Sequence, residues 1–198
     1  MLEVHFLTLE LEHAASHDKL TGLHTRASFY DKLEQTGLFP CAVVVADIDY
    51  FKKINDAHGH RGGDQALQHF STTLVCNCRE DDIVARFGGE EFVIVLRNST
   101  LENGLDVAQR LCERIRSKKL CFDHKVIEIT ASFGVSTAHD LSDIDSSIHL
   151  ADLALYRAKR AGRNRVFAYD PSLDDTSAGS IAKHDQPCHA PISLASNG

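Results

Sequence analysis

Two strand-forming runs, Asp82 to Phe87 and Glu91 to Leu96, are separated by only Gly88-Gly89-Glu90. A gap this short permits one kind of connection, a hairpin. Parallel neighbours would need a crossover of about a dozen residues or more. The middle of the chain is therefore antiparallel, which excludes a doubly wound parallel sheet.

The remaining periodicities arrange themselves around that hairpin. Phe29 to Leu38 reads as a helix closed by Gly37 and Pro40, and Cys41 to Ala46 as a strand whose Val43-Val44-Val45 core is apolar on both faces. Gly62-Gly63 precedes a helix from about Asp64 to Cys76, with Ala66, Leu67, Phe70 and Leu74 inward. Leu101 to Ser117 is amphipathic, with Leu105, Ala108, Leu111, Cys112 and Ile115 on one face. Val126 to Val135 alternates in part and reads as one strand; Ile148 to Ala158 marks a helix that Gly162 closes; Val166 to Tyr169 is a short final strand. The expected class is α+β, a mixed, largely antiparallel sheet with helices packed on it.

The ends read differently. Val4, Leu7, Leu11 and Ala14 form a helical stripe, so residues 1–16 are expected to be an N-terminal helix, either the end of a signalling helix or a brace. From Asp170 onward Ser, Asp, Pro, Ala and Asn dominate, and residues 171–198 read as a disordered tail. Between them, 17–170 is one domain.

Composition bounds the partners. The formal net charge of −7 argues against a generic nucleic-acid surface, and a polyanionic ligand would need a local basic patch or a cation. No apolar run is long enough to span a membrane, and Glu3, His5, Glu10 and Glu12 spoil a signal-peptide pattern, so the expected location is the cytoplasm, without membrane insertion. The six cysteines lack CxxC spacing and are expected to be reduced and mostly buried, not a zinc site.

Chemistry concentrates in four places. Asp47-Ile48-Asp49 ends the most hydrophobic strand, where a solvated strand end would look the same. If the hairpin pairs beside that strand, Glu90 and Glu91 approach Asp47, and a hard cation such as Mg2+ would relieve their repulsion; the rival reading is a charged hairpin tip. Gly88-Gly89 lets backbone approach a ligand. Backbone amides of Phe51 and Lys52 could cradle phosphate, while Asn55 and Asp64, with His60 between, suit guanine. The rival there is an Asn/Gly-rich loop with Asp64 capping the next helix. Lys159 and Arg163, four apart, would share a helix face and reach a triphosphate, or simply complement the helix C-terminus.

Taken together, Asp18-Lys19-Leu20-Thr21-Gly22-Leu23, Asp47 through Asp56, Gly59-His60, Gly63-Asp64, Arg86 through Phe92, and Ala151-Asp152 through Ala158-Lys159 to Gly162-Arg163-Asn164-Arg165 resemble the GGDEF family of diguanylate cyclases, in order and at family spacing. The resemblance implies a palm-like fold (ferredoxin-like, related to nucleotide cyclases) that condenses two GTP into cyclic di-GMP. It implies Mg2+, or Mn2+ in its place, at Asp47, the Ile48 carbonyl and Glu90, with Glu91 nearby. Glu90 would accept the 3′-hydroxyl proton. Asn55 and Asp64 would read guanine with His60 close, and Phe51, Lys52, Lys159 and Arg163 would hold the phosphates. Glu at position 90 in place of Asp is a common family variant. One GTP per site implies a homodimer. Arg79 and Asp82, at RxxD spacing ahead of the hairpin, stand where the family carries a product-binding inhibitory site. One departure is His24-Thr25-Arg26, where the family often has Asn-Arg. The competing functions are a non-catalytic module that senses GTP or cyclic di-GMP, and a palm-type cyclase or polymerase-like enzyme with other products. An upstream sensor or regulatory protein would supply the activating signal.

Overall fold

A computed structural model describes residues 16–37 and 39–170. The expected N-terminal helix and tail lie outside the described residues, apart from Ser16. Within them the chain forms β1 (His24–Thr25), α1 (Arg26–Thr36), β2 (Cys41–Ile48), α2 (Phe51–Val75), β3 (Ile83–Gly88), β4 (Glu91–Arg97), α3 (Leu101–Ser117), β5 (Leu120–Phe122), β6 (Lys125–Ile127), β7 (Ala131–Ala138), α4 (Ile144–Arg160) and β8 (Val166–Ala168). Six strands make one sheet in the order β1-β3-β4-β2-β7-β8. The inner pairs are antiparallel and the two edge pairs parallel. The α+β class and the central hairpin are as the sequence implies.

Every residue of β2 is buried. Alternate side chains go to opposite faces, so one strand feeds two cores. Ala42, Val44, Ala46 and Ile48 pack with Phe70 and Leu74 of α2 and Leu111 and Ile115 of α3. Cys41, Val43 and Val45 pack with Phe29 and Leu33 of α1 and Ile148 and Leu155 of α4. Burying a large aliphatic or aromatic side chain stabilises by roughly 1.5–3 kcal/mol, so the two helix layers fix the sheet from both sides. On the second face α4 lies so close that a Cβ on Gly134 would sit 1.9 Å from the Ala151 carbonyl oxygen.

Several boundaries differ from the sequence reading by a few residues, and three of the differences have a structural cause. α1 begins three residues early because Thr25 is its N-cap, its side chain accepting from the Ser28 N–H. Thr serves at an N-cap much as Asn does, which explains the His24-Thr25-Arg26 departure. α2 begins at Phe51, not Asp64. Gly59 (φ 70, ψ 171) breaks it into two segments, and Asp64 lies inside the second one, not at a cap. The glycines that suggested a loop are there for contact: a Cβ on Gly62 would meet the His58 Cβ at 2.4 Å, and one on Gly63 the Asn55 Oδ1 at 1.9 Å. Finally, the run Val126 to Val135 is not one strand. β6 pairs with β5 as a separate ribbon, and the chain bends at residues 128–130, where the Thr130 carbonyl accepts from the Asp49 N–H at 2.9 Å.

The five described cysteines are free thiols. Cys41 and Cys112 are buried, Cys78 is half-buried, and Cys76 and Cys121 are exposed, so "mostly buried" holds only for some. No helix among the described residues is long and apolar enough to cross a membrane.

Candidate active site

The site forms at the carboxyl end of β2. The antiparallel register sets Asp47 opposite Glu91 of β4, and the Ile48 N–H donates to the Glu90 carbonyl oxygen at 3.4 Å. The hairpin therefore delivers both glutamates to Asp47, as expected. Asp47 is buried at 6% exposure, and Lys159 places its Nζ 2.8 Å from the Asp47 Oδ2. Burial pushes the Asp47 carboxyl up to about 6; the Lys159 charge opposes this, and Glu90 and Glu91 add to it. Burial likewise raises Glu90, with Lys159 opposing and Glu91 reinforcing. This is a partly buried acidic cluster with the Lys159 ammonium against it.

The two aspartates of Asp47-Ile48-Asp49 have opposite fates. Asp49 is also buried, but its oxygens are taken: Oδ1 accepts from the Ser132 hydroxyl at 2.7 Å, and Oδ2 from the Thr130 hydroxyl at 2.8 Å and the Asn164 N–H at 2.9 Å. Asp49 fastens β2 to β7 and to the turn after α4. Sequence reading gave it no role, because spacing does not show which carboxylate finds donors.

That turn corrects the expected helical pairing of Lys159 with Arg163. α4 ends at Arg160, and Gly162 (φ 112), Arg163 (φ 60) and Asn164 (φ 49) follow in the left-handed region. The shared helix face does not exist. Instead the turn brings Arg163 back to Tyr50: its Nη1 donates to the Tyr50 hydroxyl at 3.3 Å, and its guanidinium lies 4.4 Å from the ring centroid. Tyr50 directly precedes α2. No side chain caps that helix, and no acidic residue occupies its first turn, so the N–H groups at Phe51 and Lys52 present the positive end of the segment that runs up to the break at Gly59.

Asn55 is on the first segment of α2, pressed against Gly63, the neighbour of Asp64. The break at Gly59 thus sets Asn55 against the residue that precedes Asp64. Asp64 and His60 are exposed.

The hairpin turn is held from outside. Arg86 donates to the Gly89 carbonyl through Nε at 3.1 Å and Nη2 at 2.7 Å, and its Nη1 is 2.9 Å from Asp18. Asp18 also accepts from the N–H and hydroxyl of Thr21. Gly88 and Gly89 are exposed, and a Cβ on Gly89 would meet nothing within 4 Å. The Asp18–Arg86 clamp lay in the quoted motifs but was given no role.

A divalent cation fits the donor set. Among the described residues no three His, Cys, Asp or Glu side chains converge as a ready-made cage. Mg2+ does not require one: it takes one or two carboxylates and completes its shell with water and phosphate oxygens. Asp47 and Glu90, both destabilised as anions by burial and by a neighbouring carboxylate, are suitable ligands.

A family model described as "Diguanylate cyclase, GGDEF domain" matches residues 15–165. The chain belongs to the GGDEF family. Among curated relatives of this GGDEF chain, diguanylate cyclase A of Treponema denticola is 37% identical over 166 residues, covering 83% of this chain and 41% of its own length. The response regulator PleD of Caulobacter vibrioides is 35% identical over 173 residues, covering 81% and 38%. The chain thus spans about two-fifths of the length of these relatives. Among solved structures, the GGDEF domain of DgcB from Caulobacter crescentus, in complex with c-di-GMP, superposes with a TM-score of 0.72 at 30% identity, covering 79% of this chain and 94% of that one. The palm-like cyclase fold is therefore established.

In the GGDEF domain the Arg79–Asp82 pair is not a side-chain ion pair. The Arg79 N–H donates to the Asp82 Oδ2 at 2.8 Å, and the Asp82 Oδ1 accepts from the Arg97 N–H at 3.1 Å. Asp82 closes a turn and leaves the Arg79 side chain exposed on a cavity of about 270 Å³ that Asn98, Asn103 and Arg110 also line. Arg110, on the outer face of α3, had no sequence signal, since only the fold sets it beside the RxxD turn.

Proposed function

We propose that this chain is a diguanylate cyclase, condensing two GTP into cyclic di-GMP with release of two pyrophosphates. The observation that carries the reading is the buried Asp47 carboxylate, aligned with Glu90 and Glu91 on one side and with the open N-terminus of α2 on the other. Carboxylates beside amide donors suit a metal-bound triphosphate. Mg2+, or Mn2+ in its place, would be held by Asp47, the Ile48 carbonyl and Glu90, with Glu91 nearby. When bound, it offsets the negative charge of the triphosphate and of the departing pyrophosphate.

The chain's own residues do the rest. Phe51 and Lys52 amides, with Lys159 and Arg163, hold the phosphates, and Gly88-Gly89 lets the hairpin backbone close on the nucleotide. Asn55 and Asp64 read guanine, with His60 at the rim. Glu90 takes the proton from the attacking 3′-hydroxyl as general base. The second GTP comes from a second copy of the chain, so the active form is a homodimer. Positioning supplies much of the rate. Product bound between Arg79 and Asp82 would restrain the enzyme. The setting is cytoplasmic, with activation through a sensor or regulatory protein.

The test is to incubate the protein with GTP and Mg2+ and identify products by mass while varying protein concentration. Cyclic di-GMP is expected, with specific activity falling on dilution. Binding of GTP without turnover would make the chain a sensing module. Another nucleotide product would make it a different palm-type enzyme.

A further inference from the structure

Tyr50 occupies a backbone position that asks for another residue. Its φ and ψ of 55° and 32° lie in the left-handed region, which a bulky aromatic residue rarely adopts and which glycine or asparagine takes readily. The conformation is held because the Tyr50 carbonyl is the first acceptor of α2, taking the N–H of Lys53 at 2.8 Å and of Ile54 at 3.3 Å. Nothing in that backbone role needs a ring. The ring itself is about half exposed, so it is not there to fill the core.

What the ring does have is two cations. The Lys53 Nζ lies 4.3 Å from its centroid and the Arg163 guanidinium 4.4 Å, and the hydroxyl also accepts from Arg163. Both distances are within the range where an aromatic face attracts a cation. Arg163 needs such a seat, because it is on a three-residue left-handed turn whose backbone is tied down at Asn164 by Asp49 and at Arg163 by the Ala158 carbonyl. The backbone ties fix where the side chain starts, and the Tyr50 ring fixes where its guanidinium ends, next to the uncapped amides of α2.

We propose that Tyr50 is a positioning residue for the triphosphate: its ring pre-places Arg163, with Lys53, at the phosphate end of the nucleotide. The proposal rests on the reading of Arg163 as a phosphate ligand. A guanidinium already held in place loses less freedom when it binds, so the benefit appears as nucleotide affinity.

The test titrates the protein calorimetrically, in Mg2+, with the GTP analogue whose α,β-bridging oxygen is replaced by methylene and which cannot lose pyrophosphate. Tyr50→Phe keeps the ring and should bind within about two-fold of the parent. Tyr50→Asn satisfies the left-handed backbone but removes the ring; it should melt no lower than the parent and bind about five-fold more weakly, as expected for one lost cation–ring seat. In an Arg163→Ala background the same Asn substitution should cost well under about five-fold, because only Lys53 still uses the ring. Unchanged binding by Tyr50→Asn overturns the proposal, as do losses that multiply across the double variant. Unfolding of Tyr50→Asn would assign the ring to the fold and overturn it too. A parent that binds the analogue but makes no cyclic di-GMP removes the proposed function and leaves this test standing; a parent that does not bind it removes both.

Discussion

Asp49→Ala is expected to weaken the fold more than its single-residue size suggests. The carboxylate accepts from the buried Ser132 hydroxyl, the Thr130 hydroxyl and the Asn164 N–H. Alanine leaves all three donors without their acceptor. A buried donor left unpaired costs about 1–3 kcal/mol, but the space vacated by a carboxylate is polar enough to admit a water that serves the two donors nearer the surface. The one donor left unpaired then costs about 1–3 kcal/mol, or about 2–12 °C in Tm for a domain of this size. Asp49→Asn should cost about half as much, since one oxygen still accepts and a hydroxyl can rotate to accept from the new amide. Thermal melts of the parent and both variants in EDTA would measure this. GTP affinity should fall with stability, because the Asn164 N–H that ties down the Arg163 turn is released. A change in Tm below about 2 °C for alanine, or an asparagine variant as unstable as the alanine one, would refute the reasoning.

Asp47→Asn should behave in the opposite sense, abolishing synthesis while leaving the metal-free protein as stable as the parent or more so. Burial raises the Asp47 carboxyl to about 6, so the folded state binds an extra proton between about pH 4, its ordinary value, and about pH 6. The parent should lose stability as pH rises through that window, and the variant should lack that contribution, which denaturant titrations in EDTA across pH 4–8 would measure. Arg86→Lys keeps a charge near Asp18 but loses the two-pronged grip on the Gly89 carbonyl; turnover should fall about ten-fold or more through misplacement of the turn, measured as initial rates of cyclic di-GMP formation. Gly63→Ala places a Cβ where the Asn55 Oδ1 now sits. It should raise the KM for GTP about ten-fold and narrow discrimination against ATP in competition assays.

The hairpin and the alternating faces of β2 could be read directly from the sequence, because both follow from periodicity and gap length. Leu101–Ser117 was bounded correctly for the same reason, with Thr100 and Asn103 forming a capping box at its start. The misreadings share one cause. Gly59, Gly62 and Gly63 suggested a loop by composition, yet two of them are helical positions kept small by His58 and Asn55 on the preceding segment. The bend at residues 128–130 depends on Asp49, eighty residues away in sequence, through the Thr130 contacts. In the site, Asp47, Glu90 and Glu91 were foreseen because strand pairing alone unites them. The separate tasks of Asp47 and Asp49, the course of the turn carrying Arg163, and the place of Arg110 were not, because each depends on which distant group a side chain meets.

The ladder between β2 and β4 runs through seven consecutive pairs from Cys41–Arg97 to Asp47–Glu91. Slide β4 by one residue and Glu91 would no longer face Asp47, but that is the lesser damage. Phe92, Ile94 and Leu96 would exchange faces with Val93 and Val95, forcing large side chains into the core that now takes small ones. The Asp47–Glu91 spacing at one end is thus proofread by the packing along the whole strand. A one-residue insertion or deletion anywhere in these strands should be lost to misfolding before it could appear as an enzyme with a mistimed active site, whereas the exposed Gly88-Gly89 turn lies outside that check.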